Sequence, residues 1–94
     1  MEDINKIALN ANQIKMMQHC IGYDHSRVKK WTFSASRNYY AIDKNSDWDK
    51  LVEVGFAKAY PPAKEGNYWN YGLTTSGITF LQEILGVRIN LNEE

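Results

Sequence analysis

The sequence predicts a single α+β domain with three main helices and a small antiparallel sheet. Residues 46–85 carry this prediction, because they read in order as helix, strand, turn, strand and helix. The supply of core residues is adequate, since 44% of the 94 residues are hydrophobic. A chain of this length forms one domain. We therefore expect residues 1–94 to fold together, with residues 1–8 as an arm or short helical turn and residues 88–94 as a tail or brief strand.

The first helix is expected to begin after Asn10 and to end before Gly22. Asn10 is a favoured N-cap residue, and Gln13 three residues later suits a capping box. Gly22 is typical of the left-handed position that follows a helix. Apolar side chains recur at the spacing of one buried helix face, at Ile14, Met17 and Ile21.

Residues 23–36 have two interpretations. Either Asp24 or Ser26 caps a short helix that runs to Lys30, or the segment is an irregular basic loop. Trp31 and Phe33 alternate with polar residues, which favours extended structure. Residues 37–42 follow as a short strand, because they include the strand-prone side chains Tyr39, Tyr40 and Ile42.

The second helix is expected to start at Ser46 as its N-cap, after turn residues 43–45. Asp49 would then complete a box-like cap, and Asp47 adds negative charge at the positive end of the helix. Gly55 is expected to end this helix. Its apolar face consists of Trp48, Leu51 and Val52.

A hairpin and the last helix complete the pattern. Residues 56–60 and 68–73 form its strands, and prolines at 61 and 62 end the first of them because proline cannot donate to a ladder. Thr74 is expected to cap the last helix and Gly86 to end it. The buried face of that helix is expected to contain Ile78, Leu81 and Leu85, with Phe80 and Ile84 beside them.

Residues 51–57 (LVEVGFA) and 71–81 (YGLTTSGITFL) resemble the second half of winged-helix domains in MarR-like and PadR-like regulators. In that family a short helix ends in Gly plus an apolar residue, a wing hairpin follows, and Leu-Thr-x-x-Gly begins the closing helix. The resemblance covers residues 46–85 and implies a winged-helix-like fold with the hairpin as wing. Residues 19–22 and 37–40 are also similar to small bacteriophage and prophage proteins without an assigned activity.

One departure from the winged-helix pattern concerns the helix that would read DNA. A DNA-reading pair needs two helices joined by a short turn. Residues 46–54 take the place of the reading helix, but their outward side chains are net acidic and would meet phosphates unfavourably. The preceding helix must come from residues 24–30 or be missing.

Charge and cysteine content narrow the class of function. Eleven basic and eleven acidic residues give zero net charge, which argues mildly against a dedicated nucleic-acid binder. The charges are uneven, with a basic excess over residues 24–40 and an acidic excess over 43–53. Cys20 is the single cysteine, which excludes an internal disulfide and fits a reducing compartment. With neither a secretory signal nor an apolar run of membrane length, we expect a cytoplasmic protein without a membrane partner.

Enzymatic chemistry is not expected. His19, Cys20 and His25 are the only soft metal ligands, and His19 and Cys20 point apart on a helix, so no zinc site is predicted. A Cys–His pair without an orienting third group is not a catalytic triad, and the sequence has no glycine-rich phosphate loop. We therefore predict no cofactor and no metal.

Basic and aromatic residues give the strongest indication of function. They combine phosphate-pairing charge with a ring that can stack on bases. The alternative is a solvated surface loop anchored by Trp31 and an ordinary exposed hairpin turn. The residues predicted to contact nucleic acid are Arg27, Lys29, Lys30, Trp31, Arg37, Lys58 and Lys64.

The sequence therefore predicts a small non-enzymatic binding module, of a winged-helix-like, phage or prophage type, that binds double-stranded DNA or acts as a regulator. The alternative function is a protein-interaction module that binds a host or phage protein without DNA. Its contacts would come from the acidic residues 46–53 and from Trp69. Self-association as a homodimer through the first or last helix is compatible with either function.

Overall fold

The computed structural model describes residues 9–62, 66 and 68–91, and these form the predicted α+β fold. A three-residue 3₁₀ turn lies at His25–Arg27, between the first helix and the first strand. Within the described residues, no helix is both long and apolar enough to cross a membrane. The elements are α1 (Ala11–Cys20), β1 (Thr32–Ala35), β2 (Tyr40–Ile42), α2 (Ser46–Glu53), β3 (Ala57–Tyr60), β4 (Trp69–Leu73), α3 (Thr75–Leu85) and β5 (Arg88–Leu91).

The strands form two small sheets. The antiparallel sheet has the order β2-β4-β3, so the predicted hairpin of β3 and β4 gains β2 as a third strand. The second sheet is a parallel pair of β1 and β5, in which Thr32 lies opposite Arg88 and Ala35 opposite Leu91. The C-terminal segment is therefore a strand through Leu91, and its partner comes from the basic segment near the start of the chain.

Local capping fixes α1 as predicted. The Asn10 side chain accepts a hydrogen bond from the Gln13 N–H, and the Gln13 side chain accepts one from the Asn10 N–H. At the other end, Gly22 has φ of 69°, and the Tyr23 N–H donates to the Gln18 carbonyl at 2.8 Å. This is a Schellman motif, which needs a left-handed residue at the glycine position.

The cap of α2 differs from the prediction by one residue. Asn45, not Ser46, is the N-cap, and its side-chain oxygen accepts from the Trp48 N–H at 3.0 Å. Asn and Ser are about equally favoured as N-caps, so the sequence alone did not separate the two positions. Gly55 ends α2 as predicted, with φ of 88°.

Residues 73–77 attach the start of α3 to the end of α2. The Thr74 hydroxyl donates to the Gly55 carbonyl at 2.7 Å and accepts from the Gly77 N–H at 3.1 Å. Gly77 lies so close to the Phe56 carbonyl oxygen that a Cβ there would overlap with it. The Leu-Thr-x-x-Gly element thus has a local mechanical role, which is to join two helices tightly.

The core lies between the helices and the two sheets. Trp48 of α2 stacks on Tyr71 of β4, with ring centroids 5.1 Å apart, and both side chains are buried. Ile84 departs from the prediction, because it lies half-exposed rather than beside the buried face of α3. The other large, fully buried side chains are Phe33, Met17, Ile21, Leu51, Leu81 and Cys20.

The helix that a DNA-reading pair would require is missing from the described residues. Asp24 caps a turn of only three residues, so residues 24–30 do not form the helix that was one of the two interpretations. Strand β2 and a short turn immediately precede α2. Within residues 9–62, α2 therefore has no neighbouring helix joined to it by a short turn.

Candidate functional site

A tight turn at residues 29–32 projects two side chains of the predicted site. The Lys29 N–H donates to the Thr32 carbonyl at 2.8 Å, and the Thr32 N–H donates to the Lys29 carbonyl at 2.9 Å. Lys30 and Trp31 between them have φ of 51° and 65°. A two-residue loop with positive φ at both positions is a type I′ turn, for which Asn-Gly is the preferred sequence.

The residues at the tip of this turn are unfavourable for its backbone. A non-glycine residue in the left-handed region costs about 1–2 kcal/mol. The chain nevertheless has a lysine and a tryptophan there, and the Trp31 side chain is 78% exposed. Burial in the core therefore does not explain Trp31, and neither does turn propensity. Backbone strain concentrated at an exposed position is a recognised feature of binding sites.

Contacts on both sides hold the base of the turn in place. The Trp31 carbonyl accepts from the Arg88 N–H at 2.8 Å, which continues the β1–β5 pairing up to the tip. Phe33, two residues beyond Trp31, is buried and packs edge-on against Tyr23 at 5.0 Å. The tip is therefore a projection from an anchored strand.

A shallow open groove of about 420 Å³ lies beside the turn. Asp24 holds the lining residue Ser26 in place, because its carboxylate accepts from the Ser26 N–H at 3.0 Å and from the Ser26 hydroxyl at 2.8 Å. These hydrogen bonds hold the pKa of Asp24 below its ordinary value. Two cations and three hydroxyls line the groove, from Arg27, Lys29, Ser26, Thr32 and Ser34.

We call residues 26–34 the basic tip. It combines the groove with the exposed side chains of Lys30 and Trp31. Lysine, arginine and hydroxyl donors are the groups that bind phosphate oxygens, and a tryptophan ring stacks on nucleobases. Arg27, Lys29, Lys30 and Trp31, four of the residues predicted from sequence, thus lie within one short segment.

The remaining predicted contacts lie elsewhere. Arg37 donates to the His19 carbonyl at 2.8 Å and lies against Gly22, so it caps the end of α1 and lines a separate small groove with Tyr39 and Tyr40. Lys58 is exposed on β3 and lines a larger groove of about 850 Å³ with the start of α3 and β5. Lys64 lies outside the described residues.

The acidic side chains of α2 are partly engaged within the protein. Asp47 accepts from the Asn12 side chain at 2.9 Å. Asp49 accepts from Lys44 at 2.7 Å and from the Tyr71 hydroxyl at 3.1 Å, and the hydrogen bond from Lys44 lowers the pKa of Asp49. The surface proposed for a protein partner is therefore less free than the sequence suggested.

Trp69, the other residue of that surface, is not an exposed anchor. It is only partly accessible, its ring lies 6.5 Å from the Tyr71 ring, and the Lys44 ammonium lies 5.4 Å from its centroid. The Lys44 ammonium therefore covers part of the Trp69 ring, which the sequence alone suggested to be available to a partner.

Cys20 is a buried core residue. Its thiol contacts the Asn38 side-chain oxygen at 3.3 Å and the Tyr71 carbonyl at 3.7 Å, and burial raises the pKa of the thiol to about 12. A neutral, inaccessible thiol is a poor nucleophile. Over the part of the chain that the structure describes, no three His, Cys, Asp or Glu side chains gather as metal ligands.

Sequence analysis missed the hydroxyl groups of the groove and the turn itself. Ser26 was considered only as a possible helix cap, and Thr32 and Ser34 carried no recognisable motif. Residues 29–32 lack the Asn or Gly that usually signals a type I′ turn. The alternation of Trp31 and Phe33 with polar residues predicted extended structure, which is correct for residues 32–35 but not for Trp31, whose φ is 65°.

Comparison of the chain with protein-family models, with curated proteins and with solved structures found no match. The functional assignment below therefore depends on the geometry and chemistry of the basic tip.

Proposed function

We propose that this chain is a small DNA-binding protein that uses the basic tip to hold the phosphate backbone. In this proposal Arg27, Lys29 and Lys30 pair with phosphates, and Trp31 stacks on a base. The observation that carries the proposal is the pair Lys30-Trp31, held exposed at the tip of a turn whose backbone favours Asn-Gly.

Local charge supports the proposal better than the net charge does. The zero net charge is an average over the whole chain, whereas a phosphate within a Debye length of about 8–10 Å feels mainly nearby groups. Asp24 near the tip keeps its negative charge, because its hydrogen bonds from Ser26 lower its pKa, and it offsets one of the nearby cations. Residues 27–30 contain three cations and no acidic side chain.

A wider contact surface would include Arg37 and Lys58, which belong to other grooves, and Lys64, which lies outside the described residues. The winged-helix resemblance, a regulatory role, a phage or prophage origin and a cytoplasmic location belong to the same proposal. The lone, buried Cys20 supports the last of these, because it requires no oxidising compartment.

The test is binding of a labelled mixed-sequence oligonucleotide, in duplex and in single-stranded form, followed over a salt series. The proposal expects an affinity that falls steeply with salt, because phosphate binding releases condensed counterions. Absence of binding to both forms at low salt would refute it.

A protein-interaction module is the second candidate. The observation that favours it is a set of exposed aromatic side chains away from the tip, since Tyr39, Tyr60 and Tyr68 are 58%, 53% and 59% exposed. Tyrosine is enriched at protein interfaces. The same titration separates the two candidates, because this one predicts no salt-dependent nucleic-acid binding.

A further inference from the structure

We infer that the ligand of the basic tip is an unpaired, single-stranded segment of nucleic acid rather than an intact duplex. This inference rests on the proposed function and specifies the form of nucleic acid that the same site accepts.

Helix α2, which occupies the position of the reading helix, is poorly suited to reading a duplex. Major-groove recognition places a helix, or a two-stranded ribbon with base-reading side chains, in the groove. The exposed side of α2 carries Lys50 and Glu53, whose charges cancel, and the partly exposed Asp47, and α2 has no partner helix joined by a short turn within residues 9–62. Such a helix lacks the excess of positive charge that attracts the two phosphate strands of a duplex.

An exposed protein ring can stack only on a base whose face is free. A base inside a duplex has both faces covered by its neighbours, so a protein ring stacks on it only after it is unpaired or extruded, which costs a few kcal/mol. Trp31 is 78% exposed at the tip of a narrow two-residue turn. Such a single projecting ring suits a base whose face is already free.

The groove of the basic tip lies beside the turn that carries the Trp31 ring. Lys29 and Thr32 flank the turn, and both line the groove that Arg27 and the hydroxyls of Ser26 and Ser34 complete. A phosphate in this groove and a base on Trp31 would therefore be neighbours along one strand. Stacking platforms beside a cationic groove are the general arrangement by which proteins bind single strands.

The groove chemistry is common to DNA and RNA single strands. The cationic side chains of Arg27 and Lys29 and the hydroxyl of Ser34 can donate to the phosphates of either one, whereas the Ser26 hydroxyl already donates to Asp24. The experiment therefore includes both sources as separate probes.

The experiment is fluorescence anisotropy with one mixed sequence, prepared as single-stranded DNA, single-stranded RNA and blunt duplex DNA. The proteins are the unmodified chain, Trp31→Ala and Trp31→Phe, each checked for its fold by circular dichroism. We expect tighter binding of a single strand than of duplex, a loss of about 5- to 150-fold for Trp31→Ala on that strand, and recovery of most of it by Trp31→Phe. The single strand that binds more tightly shows whether the ligand is DNA or RNA.

Two results would overturn the inference in distinguishable ways. Duplex binding as tight as single-strand binding, with no loss in Trp31→Ala, would show that the site holds phosphates without stacking. Phosphate binding by the basic tip would then survive, and the role proposed for Trp31 would not. Binding to none of the three probes at low salt would refute both the inference and the proposed function.

Discussion

Lys29 and Thr32 exchange two backbone hydrogen bonds, of 2.8 and 2.9 Å, and so close a turn whose two central residues have positive φ. The two closing hydrogen bonds stabilise the turn, whereas the positive φ of Lys30 and Trp31 is unfavourable for side chains other than glycine. In the proposed function, stability and binding therefore place opposite demands on positions 30 and 31.

The double variant Lys30→Asn/Trp31→Gly tests this opposition. Asn-Gly is the preferred type I′ sequence, so we expect the free energy of unfolding to rise by about 1 kcal/mol although an aromatic residue is lost. Nucleic-acid binding should weaken in the same variant. Urea unfolding and anisotropy measure the two effects. A less stable variant would mean that Lys30 and Trp31 are not strained in the way described.

Charge removal at the tip should change the salt dependence of binding. In Lys29→Ala/Lys30→Ala, we expect the slope of log affinity against log salt to fall by roughly two units, one for each lost phosphate contact. The matched control is Lys15→Ala/Lys50→Ala, which removes the same charge from exposed positions of α1 and α2. Equal effects in the two variants would point to nonspecific attraction by total charge.

The Asn38 side chain makes two hydrogen bonds with the Leu73 backbone, in the way that a neighbouring strand would. Its side-chain oxygen accepts from the Leu73 N–H at 2.8 Å, and its amide donates to the Leu73 carbonyl at 3.0 Å. Asn38→Ala should lower the free energy of unfolding by about 1–3 kcal/mol, because it leaves both backbone groups without these partners. Asn38→Asp retains the acceptor but sets a carboxylate oxygen against the Leu73 carbonyl at neutral pH, so it should lose at least as much stability. Urea midpoints at constant m-value provide the comparison.

Gly77 should tolerate no side chain. A Cβ there would overlap with the Phe56 carbonyl oxygen, which belongs to backbone and cannot rotate away. We expect Gly77→Ala to lower the free energy of unfolding by about 3 kcal/mol, because the new methyl group forces α3 away from the end of α2. Ser76→Ala, at an exposed position of the same helical turn, should stay within about 0.5 kcal/mol of the unmodified chain. Similar thermal midpoints for the two variants would contradict the close approach.

Cys20 gives a prediction about pH. Because burial raises the pKa of the thiol from 9.0 to about 12, the folded state keeps it neutral while the unfolded state ionises above pH 9. Its contribution to stability is therefore complete below pH 9 and is lost as the pH rises towards 12. The unmodified chain should therefore lose free energy of unfolding relative to Cys20→Ala as the pH rises from 9 towards 12.

Alkylation gives an independent measure of the same burial. At pH 9 the folded protein should react with iodoacetamide much more slowly than the protein in denaturant. Comparable rates in the two states would show that the thiol is accessible.

Local signals in the sequence predicted most of the elements. Asn10 with Gln13, Thr74 and the glycines at 22, 55 and 86 act within a few residues of the helix ends that they define, so their effects are readable without tertiary structure. The choice between Asn45 and Ser46 failed because adjacent caps of similar preference compete. The pairing of β1 with β5 joins distant segments, which no local pattern specifies.

The candidate site was predictable in composition but not in arrangement. The basic and aromatic residues 27–31 were visible in the sequence, whereas the positive φ values of Lys30 and Trp31 depend on the closing pair and on the anchoring by β5. Arg37 looked equivalent to the other cations. Its engagement with the His19 carbonyl at the end of α1 is a tertiary contact.

The most direct test of binding through the basic tip is a ¹H–¹⁵N NMR titration that follows the indole N–H signals of the three tryptophans. Trp48 is buried and Trp69 partly covered, so they serve as internal controls, and Trp31→Phe assigns the exposed signal. Addition of a single-stranded oligonucleotide should shift the Trp31 indole and the amides of residues 26–34. Shifts confined to α2 or the exposed tyrosines, with the Trp31 signal unmoved, would contradict the central claim.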